Sequence, residues 1–118
     1  MFCNMRKGKM VSQGAHASMK AILDWSTHEK NGLITELHEG SALESWINGL
    51  FTKICVSVDS EEELVNLYNK ALESGLMVSM ITDAGLTEFN GVPTKTCIAI
   101  GPDWSDQIDP ITKHLKLL

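Results

Sequence analysis

No apolar run in the 118 residues approaches the roughly 20 needed to span a bilayer, so a membrane-embedded protein is not expected. The start lacks the long apolar segment of a signal peptide, because basic residues follow a short apolar opening. Cysteine is sparse. Cys3, Cys55 and Cys97 are odd in number and without CxxC spacing, which reads as free thiols in a reducing, cytoplasmic compartment and speaks against a disulfide framework or a zinc site. His16, His28, His38 and His114 have no HxxxH or HxH spacing, so no metal site is indicated. A G-x-S-x-G elbow, a phosphate loop and a dinucleotide fingerprint are all missing, which leaves serine-triad and nucleotide chemistry without support. Internal repeats and low-complexity segments are absent too.

Acidic residues are missing from the start of the chain. Residues 1–23 hold no Asp or Glu but carry Arg6, Lys7, Lys9 and Lys20, whereas the whole chain has a net charge of −5. The overall charge argues against a nonspecific nucleic-acid binder. The local excess could meet a few phosphates while the remaining surface stays acidic, or it could be a merely solvated terminus. Hydrophobic content of 43% and charged content of 21% are ordinary for a globular protein, and the length fits one domain that buries about two-thirds of its unfolded surface.

The basic stretch runs through a glycine turn at Gly8 into a helix expected from about Lys9 to Trp25. Val11, Ala15, Ile22 and Leu23 supply its apolar positions, and Gly14, Ala17 and Ser18 permit close packing. At about 100° per residue, Lys9, Gln13, His16 and Lys20 share one stripe where a core helix would carry Leu and Ile. That stripe is either a solvated face or an anion-binding one, aided by the helix N-terminus.

Further along, residues 26–40 suggest two turns around a short amphipathic piece at Leu33, Ile34 and Leu37. Ser41 with Glu44 forms a capping box for a helix closed by Gly49. A short strand is expected over Lys53–Val58, then a helix capped by Ser60 and Glu63, striped by Leu64, Leu67, Tyr68, Ala71 and Leu72, and stopped at Gly75. Leu76–Thr82 and Lys95–Ile100 read as strands, and the link between them holds no obvious helix, which allows antiparallel pairing. Ser105 or Asp109 caps a terminal helix with Pro110 in its first turn. Strands alternating with helices imply an α/β layer fold.

Asp83 follows an apolar strand and precedes Ala84-Gly85, at the carboxyl end where open α/β sheets bind ligands. It could equally be a turn Asp bonded to its own backbone.

Four segments fall in a shared order. They are Lys7-Gly8-Lys9 with Gln13 and His16-Ala17; Val58 to Leu64; Thr82-Asp83-Ala84-Gly85 with Thr87; and Thr96 to Pro102 closing on His114 to Leu118. Together they resemble the archaeal and eukaryotic (type 2) peptidyl-tRNA hydrolases over nearly the whole chain except about residues 26–45. The resemblance implies a single three-layer α/β/α domain over residues 1–118, on a four-stranded mixed sheet whose last strand is antiparallel. The family's first strand matches only a short stub at Met1–Asn4, reduced or truncated.

The resemblance also implies the chemistry: hydrolysis of the ester between a peptide and the 3′ ribose of tRNA, with no cofactor. It puts Lys9 and Asp83 in the active site, with Thr87 and Thr96 as grouped hydroxyls. Lys9 would face the oxyanion or a terminal phosphate, and Asp83 would orient a water, with or without taking its proton. Gln13 and His16 are candidates to position substrate, although His16 could be a helix histidine satisfied by a backbone carbonyl. Lys7 and Lys20 are candidates to meet the tRNA backbone. Leu86 stands where Arg is common, Glu88 where Gln is usual, and the loop 88–94 is one residue longer. Retention of Lys9 and Asp83 favours an enzyme. The reduced strand, Leu86 and Glu88 favour a catalytically inactive relative that binds tRNA or protein. A second copy of the chain is a further partner the reading allows.

Overall fold

A computed structural model describes residues 5–118; the expected strand stub at Met1–Asn4 lies outside them. The chain opens on helix α1 (Lys7–Leu23), then forms an antiparallel hairpin, β1 (Thr27–Glu29) and β2 (Gly32–Ile34). Helix α2 (Ala42–Asn48), strand β3 (Val56–Ser57) and helix α3 (Glu61–Glu73) follow. Strands β4 (Val78–Asp83) and β5 (Thr94–Ile100) form an antiparallel ribbon, and helix α4 (Ser105–Thr112) leads into β6 (Lys116–Leu117), which pairs antiparallel with β3. The mixture of helices and strands expected from the sequence is present, and the last two long strands do pair antiparallel. Among the described residues the strands pair only in twos, without a four-stranded sheet.

Several elements differ from the sequence reading. Gly8 is no turn. It lies in the first turn of α1 without positive φ, behind an extended Arg6 at the N-cap. Val11 and Ala15 are exposed, and the inward stripe of α1 is Gln13, Ala17 and Ala21. Small alanines let the helix approach the ribbon closely, and Gln13 is tolerated there because its polar atoms find partners. In the segment 26–40 the short piece expected around Leu33, Ile34 and Leu37 is a strand, with Leu33 and Ile34 in β2. The β1–β2 hairpin turns through Lys30-Asn31, and all six strand residues are exposed. Of the strand expected over Lys53–Val58, Val56 and Ser57 form β3 and Val58 makes a single bridge, and α4 starts from Trp104, which places Pro110 beyond its first turn at the cost of one backbone hydrogen bond.

Both capping boxes form. Ser41 accepts from the Glu44 N–H at 3.2 Å, and Ser60 from the Glu63 N–H at 3.1 Å. The glutamates reach back to the Gly40 and Asp59 N–H groups. Gly75 closes α3 with φ +74°. Leu64, Leu67 and Ala71 turn inward from α3 and meet Val58, Leu76 and Ile111, with Val78, Met80, Ile98 and Ile100 of the ribbon packed against them. That core lies on one side of the ribbon, and α1 packs across β4 and β5 from the other. No helix among the described residues is long and apolar enough to cross a membrane.

Candidate active site

Successive strand residues face opposite sides, so Thr96 and Cys97 should point apart. They do not. Ile81 pairs with Cys97 and Thr82 with Lys95, which leaves Thr96 as the extra residue of a β-bulge. Both neighbours then reach Gln13: the Thr96 hydroxyl donates to its side-chain Oε1, and the Cys97 thiol to its backbone carbonyl at 3.1 Å. Gln13, Thr96 and Cys97 are all buried. Burial pushes the Cys97 thiol up to about 11, so it stays protonated and serves as a donor rather than a nucleophile.

The other end of the Gln13 amide points to the carboxyl end of β4, where its Nε2 donates to Asp83 Oδ1 at 3.3 Å. Lys9, one turn earlier on α1, places Nζ 2.7 Å from the same oxygen and 3.2 Å from Thr87 Oγ1. Asp83 Oδ2 accepts from the Gly85 N–H at 2.9 Å. Asp83 is therefore both a turn Asp bonded to its own backbone and a partner of the lysine. The hydrogen bond from Lys9, then that from Gly85, hold its carboxyl below the usual carboxylate range. Side chains of Lys9 and Asp83 are only 16% and 15% exposed, so the pair is sheltered but still within reach of water.

The loop 84–93 above the pair is tightly folded. Gly85 has φ +79°, and a Cβ there would lie 2.2 Å from the Val92 carbonyl oxygen. The Gly91 N–H bonds the Gly85 carbonyl at 2.8 Å, closing the base of the loop. Next to Thr87, the Glu88 carboxylate accepts from Arg6 twice, from Nε at 2.7 Å and from the backbone N–H at 3.3 Å. The Arg6 guanidinium holds Glu88 below the usual carboxylate range.

The stripe Lys9, Gln13, His16 and Lys20 divides. Lys9 and Gln13 turn to Asp83, whereas exposed His16 sits with its ring 3.5 Å from Ser12 Oγ. Lys20 pairs with Asp24 at 2.9 Å, and Asp24 also accepts from the buried Ser79 hydroxyl at 2.7 Å. His16 and Lys20 instead line an open pocket of about 500 Å³ with Met19, Leu23, His28 and Ile81. Lys7 is exposed on the first turn of α1. Residue spacing signals neither the bulge nor the Arg6–Glu88 contact, since each joins positions distant in the chain. The Lys20–Asp24 pair was there to read from its i,i+4 spacing.

A family model for peptidyl-tRNA hydrolase PTH2 matches residues 2–118. The chain is similar to the peptidyl-tRNA hydrolase of Methanocaldococcus jannaschii, with 45% identity over 97% of this chain and 90% of that protein. It is 41% identical to the peptidyl-tRNA hydrolase of Sulfolobus acidocaldarius over 98% and 91% of the two chains, and 39% identical to that of Nanoarchaeum equitans over 94% and 87%. With that match running almost end to end, and with Lys9, Asp83 and Thr87 drawn together from opposite ends of the chain, the chain belongs to the peptidyl-tRNA hydrolase PTH2 family.

Proposed function

We propose that the chain hydrolyses the ester joining a peptide to the 3′ ribose of tRNA. The observation that carries the reading is the contact between Lys9 Nζ and Asp83 Oδ1, a cation and a carboxylate held together where both are sheltered but not sealed from water. Two of the three ammonium N–H bonds go to Asp83 and Thr87. The third is available to the oxyanion that develops as water attacks the ester carbonyl, or to a terminal phosphate.

Asp83 is a poor candidate for the base. Three donors stabilise its charged form, and a carboxylate held low takes a proton reluctantly. Its role is to aim Lys9 and to orient the water. Thr87 is the exposed hydroxyl of the site, whereas Thr96 and Gln13 work from below by fixing the Asp83 side chain. His16 and Lys20, which line the pocket, and Lys7, exposed on the first turn of α1, are the residues that would meet substrate and the tRNA backbone. The catalytic unit is one domain over residues 1–118 acting in the cytoplasm, as translation chemistry and free thiols both suggest, alone or as a homodimer. A three-layer α/β/α arrangement on a four-stranded mixed sheet goes with the reading; it is supported by α1 and α3 packing on opposite sides of the β4–β5 ribbon.

The test is single-turnover and steady-state hydrolysis of N-blocked aminoacyl-tRNA. Release of the blocked amino acid, abolished by losing Lys9, is the expected result. A folded chain without turnover would retire the enzyme.

A further inference from the structure

Arg6 and Glu88 do no chemistry in the hydrolysis proposed above, yet they join the same two elements as the catalytic pair. Arg6 is the N-cap of α1, and Lys9 lies three residues on. Glu88 is the neighbour of Thr87 in the loop after β4. Two links therefore run in parallel between helix and loop: Arg6 to Glu88, and Lys9 to Thr87.

The first link is the more constrained. Both Glu88 oxygens are used, one by Arg6 Nε at 2.7 Å and one by the Arg6 backbone N–H at 3.3 Å. The Glu88 side chain is 11% exposed, although its arginine partner is 79% exposed. The carboxylate also lies against the positive end of the α1 dipole. By contrast Thr87 is exposed, and its hydroxyl has the Lys9 ammonium at 3.2 Å. Backbone contacts pin the base of the loop at Gly85, Gly91 and Val92. On the Thr87 side, the ion pair next door ties the loop to the helix alongside the longer Lys9–Thr87 bond. An accessible pair of this kind adds little to stability, so what it contributes is geometry.

We propose that Arg6 and Glu88 are positioning residues for the hydrolysis, a clamp that holds the Thr87 hydroxyl on the Lys9 ammonium and so keeps Lys9 aimed at the ester. The inference rests on the hydrolase reading. It reinterprets Glu88: its charge is consumed by Arg6 at the helix end instead of opposing RNA in the open.

The test measures kcat and KM on N-blocked aminoacyl-tRNA for the full chain and its Glu88→Ala, Glu88→Gln, Arg6→Ala, Thr87→Val and Thr87→Val/Glu88→Ala variants, with thermal melts to verify folding. Glu88→Ala should lower kcat about tenfold and leave KM within about twofold. Arg6→Ala, which leaves the loop sequence untouched, should reproduce the kcat loss should Glu88→Ala fold poorly. Glu88→Gln, whose amide oxygen still accepts one Arg6 bond, should recover most of the rate. In the Thr87→Val background, Glu88→Ala should add less than about twofold, because the hydroxyl it holds is gone. Effects of Thr87→Val and Glu88→Ala that simply multiply would overturn the clamp. A change confined to KM would also overturn it, by making Glu88 a direct influence on tRNA binding. Those results leave an active wild type and remove the clamp alone, whereas an inactive wild type removes the hydrolase reading beneath it.

Discussion

Helix α1 carries two lysine–aspartate pairs, one near each end, and their geometry is almost the same while their surroundings are not. Lys9 meets Asp83 at 2.7 Å, and Lys20 meets Asp24 at 2.9 Å. Each carboxylate takes further donors, Gln13 and Gly85 in the first case and Ser79 in the second. The Lys20 pair, however, is one helical turn long and roughly 40% exposed on both sides, so it is screened and short-range. The Lys9 pair joins the helix to the carboxyl end of β4 across most of the chain and is sheltered on both sides. A short ion pair is thus no mark of an active site. What separates the two is a shelter built from distant elements around the Lys9 pair.

The widest separation between the pairs should appear on breaking them. Asp83→Asn and Lys9→Ala should each lower the hydrolysis rate by about two to three orders of magnitude, by unbalancing the lysine or removing it. Asp24→Asn should change it less than about twofold. The pH profile sharpens the contrast. Because the folded Asp83 pKa is lowered, its carboxylate persists as pH falls through the ordinary carboxylate range, and what its ionisation contributes is lost only below that range. The acid limb of kcat/KM should accordingly not fall at pH 4 to 5 from this group. A limb centred there or higher, abolished by Asp83→Asn, would make Asp83 an ordinary base and revive its role as proton acceptor.

The support beneath the Lys9 pair offers the next contrast, since only that pair is backed by a buried amide. Gln13→Leu keeps the volume but removes both the acceptor for Thr96 and the donor to Asp83. It leaves a buried hydroxyl unpaired, at a cost of about 1–3 kcal/mol. Urea unfolding should register that loss, and the rate should fall about tenfold through a less constrained Asp83. An unchanged rate at reduced stability would confine Gln13 to holding the helix on the ribbon.

Salt dependence of tRNA binding tests the Lys20 end. Lys20 already spends its charge on Asp24, whereas Lys7 is exposed on the first turn of α1. Lys7→Glu should reduce the slope of log K against log salt by about one or slightly more, and Lys20→Glu by distinctly less. Equal losses would mean that the RNA backbone displaces Asp24 from Lys20 completely, so that the pair does not weaken the contact.

These contrasts also mark what the sequence could convey. Periodicity and capping boxes located α3, α2 and the β4–β5 ribbon because those signals are local: Leu64, Leu67 and Ala71 stripe one face, and Ser41 and Ser60 sit three residues before a glutamate. The convergence of Lys9, Asp83 and Thr87 had no local signal, and family resemblance alone suggested it. The bulge at Thr96 was illegible, because it depends on register between two strands rather than on the composition of either. The inward stripe of α1 was misread for a related reason. Hydropathy ranks Val11 above Gln13, but a close helix–ribbon contact selects small residues and one amide whose partners come from elsewhere. The segment between Ala21 and Val58 buries no residue at all, so it lacked the one-sided pattern from which its hairpin could have been read.

The smallest expected effect concerns how the Lys9 end of α1 is held. A glycine turn at Gly8 and a helix that already includes Gly8 make opposite demands on that position. In the helix, φ is not positive, the position is exposed, and a Cβ would meet nothing within 4 Å. Gly8→Ala should then stabilise the protein by about 0.5 kcal/mol, the lower part of the usual helical gain because the first turn is only partly constrained. That corresponds to a rise in Tm of about 1–4 °C for a chain of this size. Arg6 and Glu88 should keep their contact, and Lys9 its aim, so the hydrolysis rate should hold within about twofold. A loss of about 1 kcal/mol or more, with a matching fall in rate, would mean that Gly8 adopts a conformation closed to alanine. Lys9 would then be presented by a turn, and its end of α1 would differ from the Lys20 end in backbone as well as in shelter.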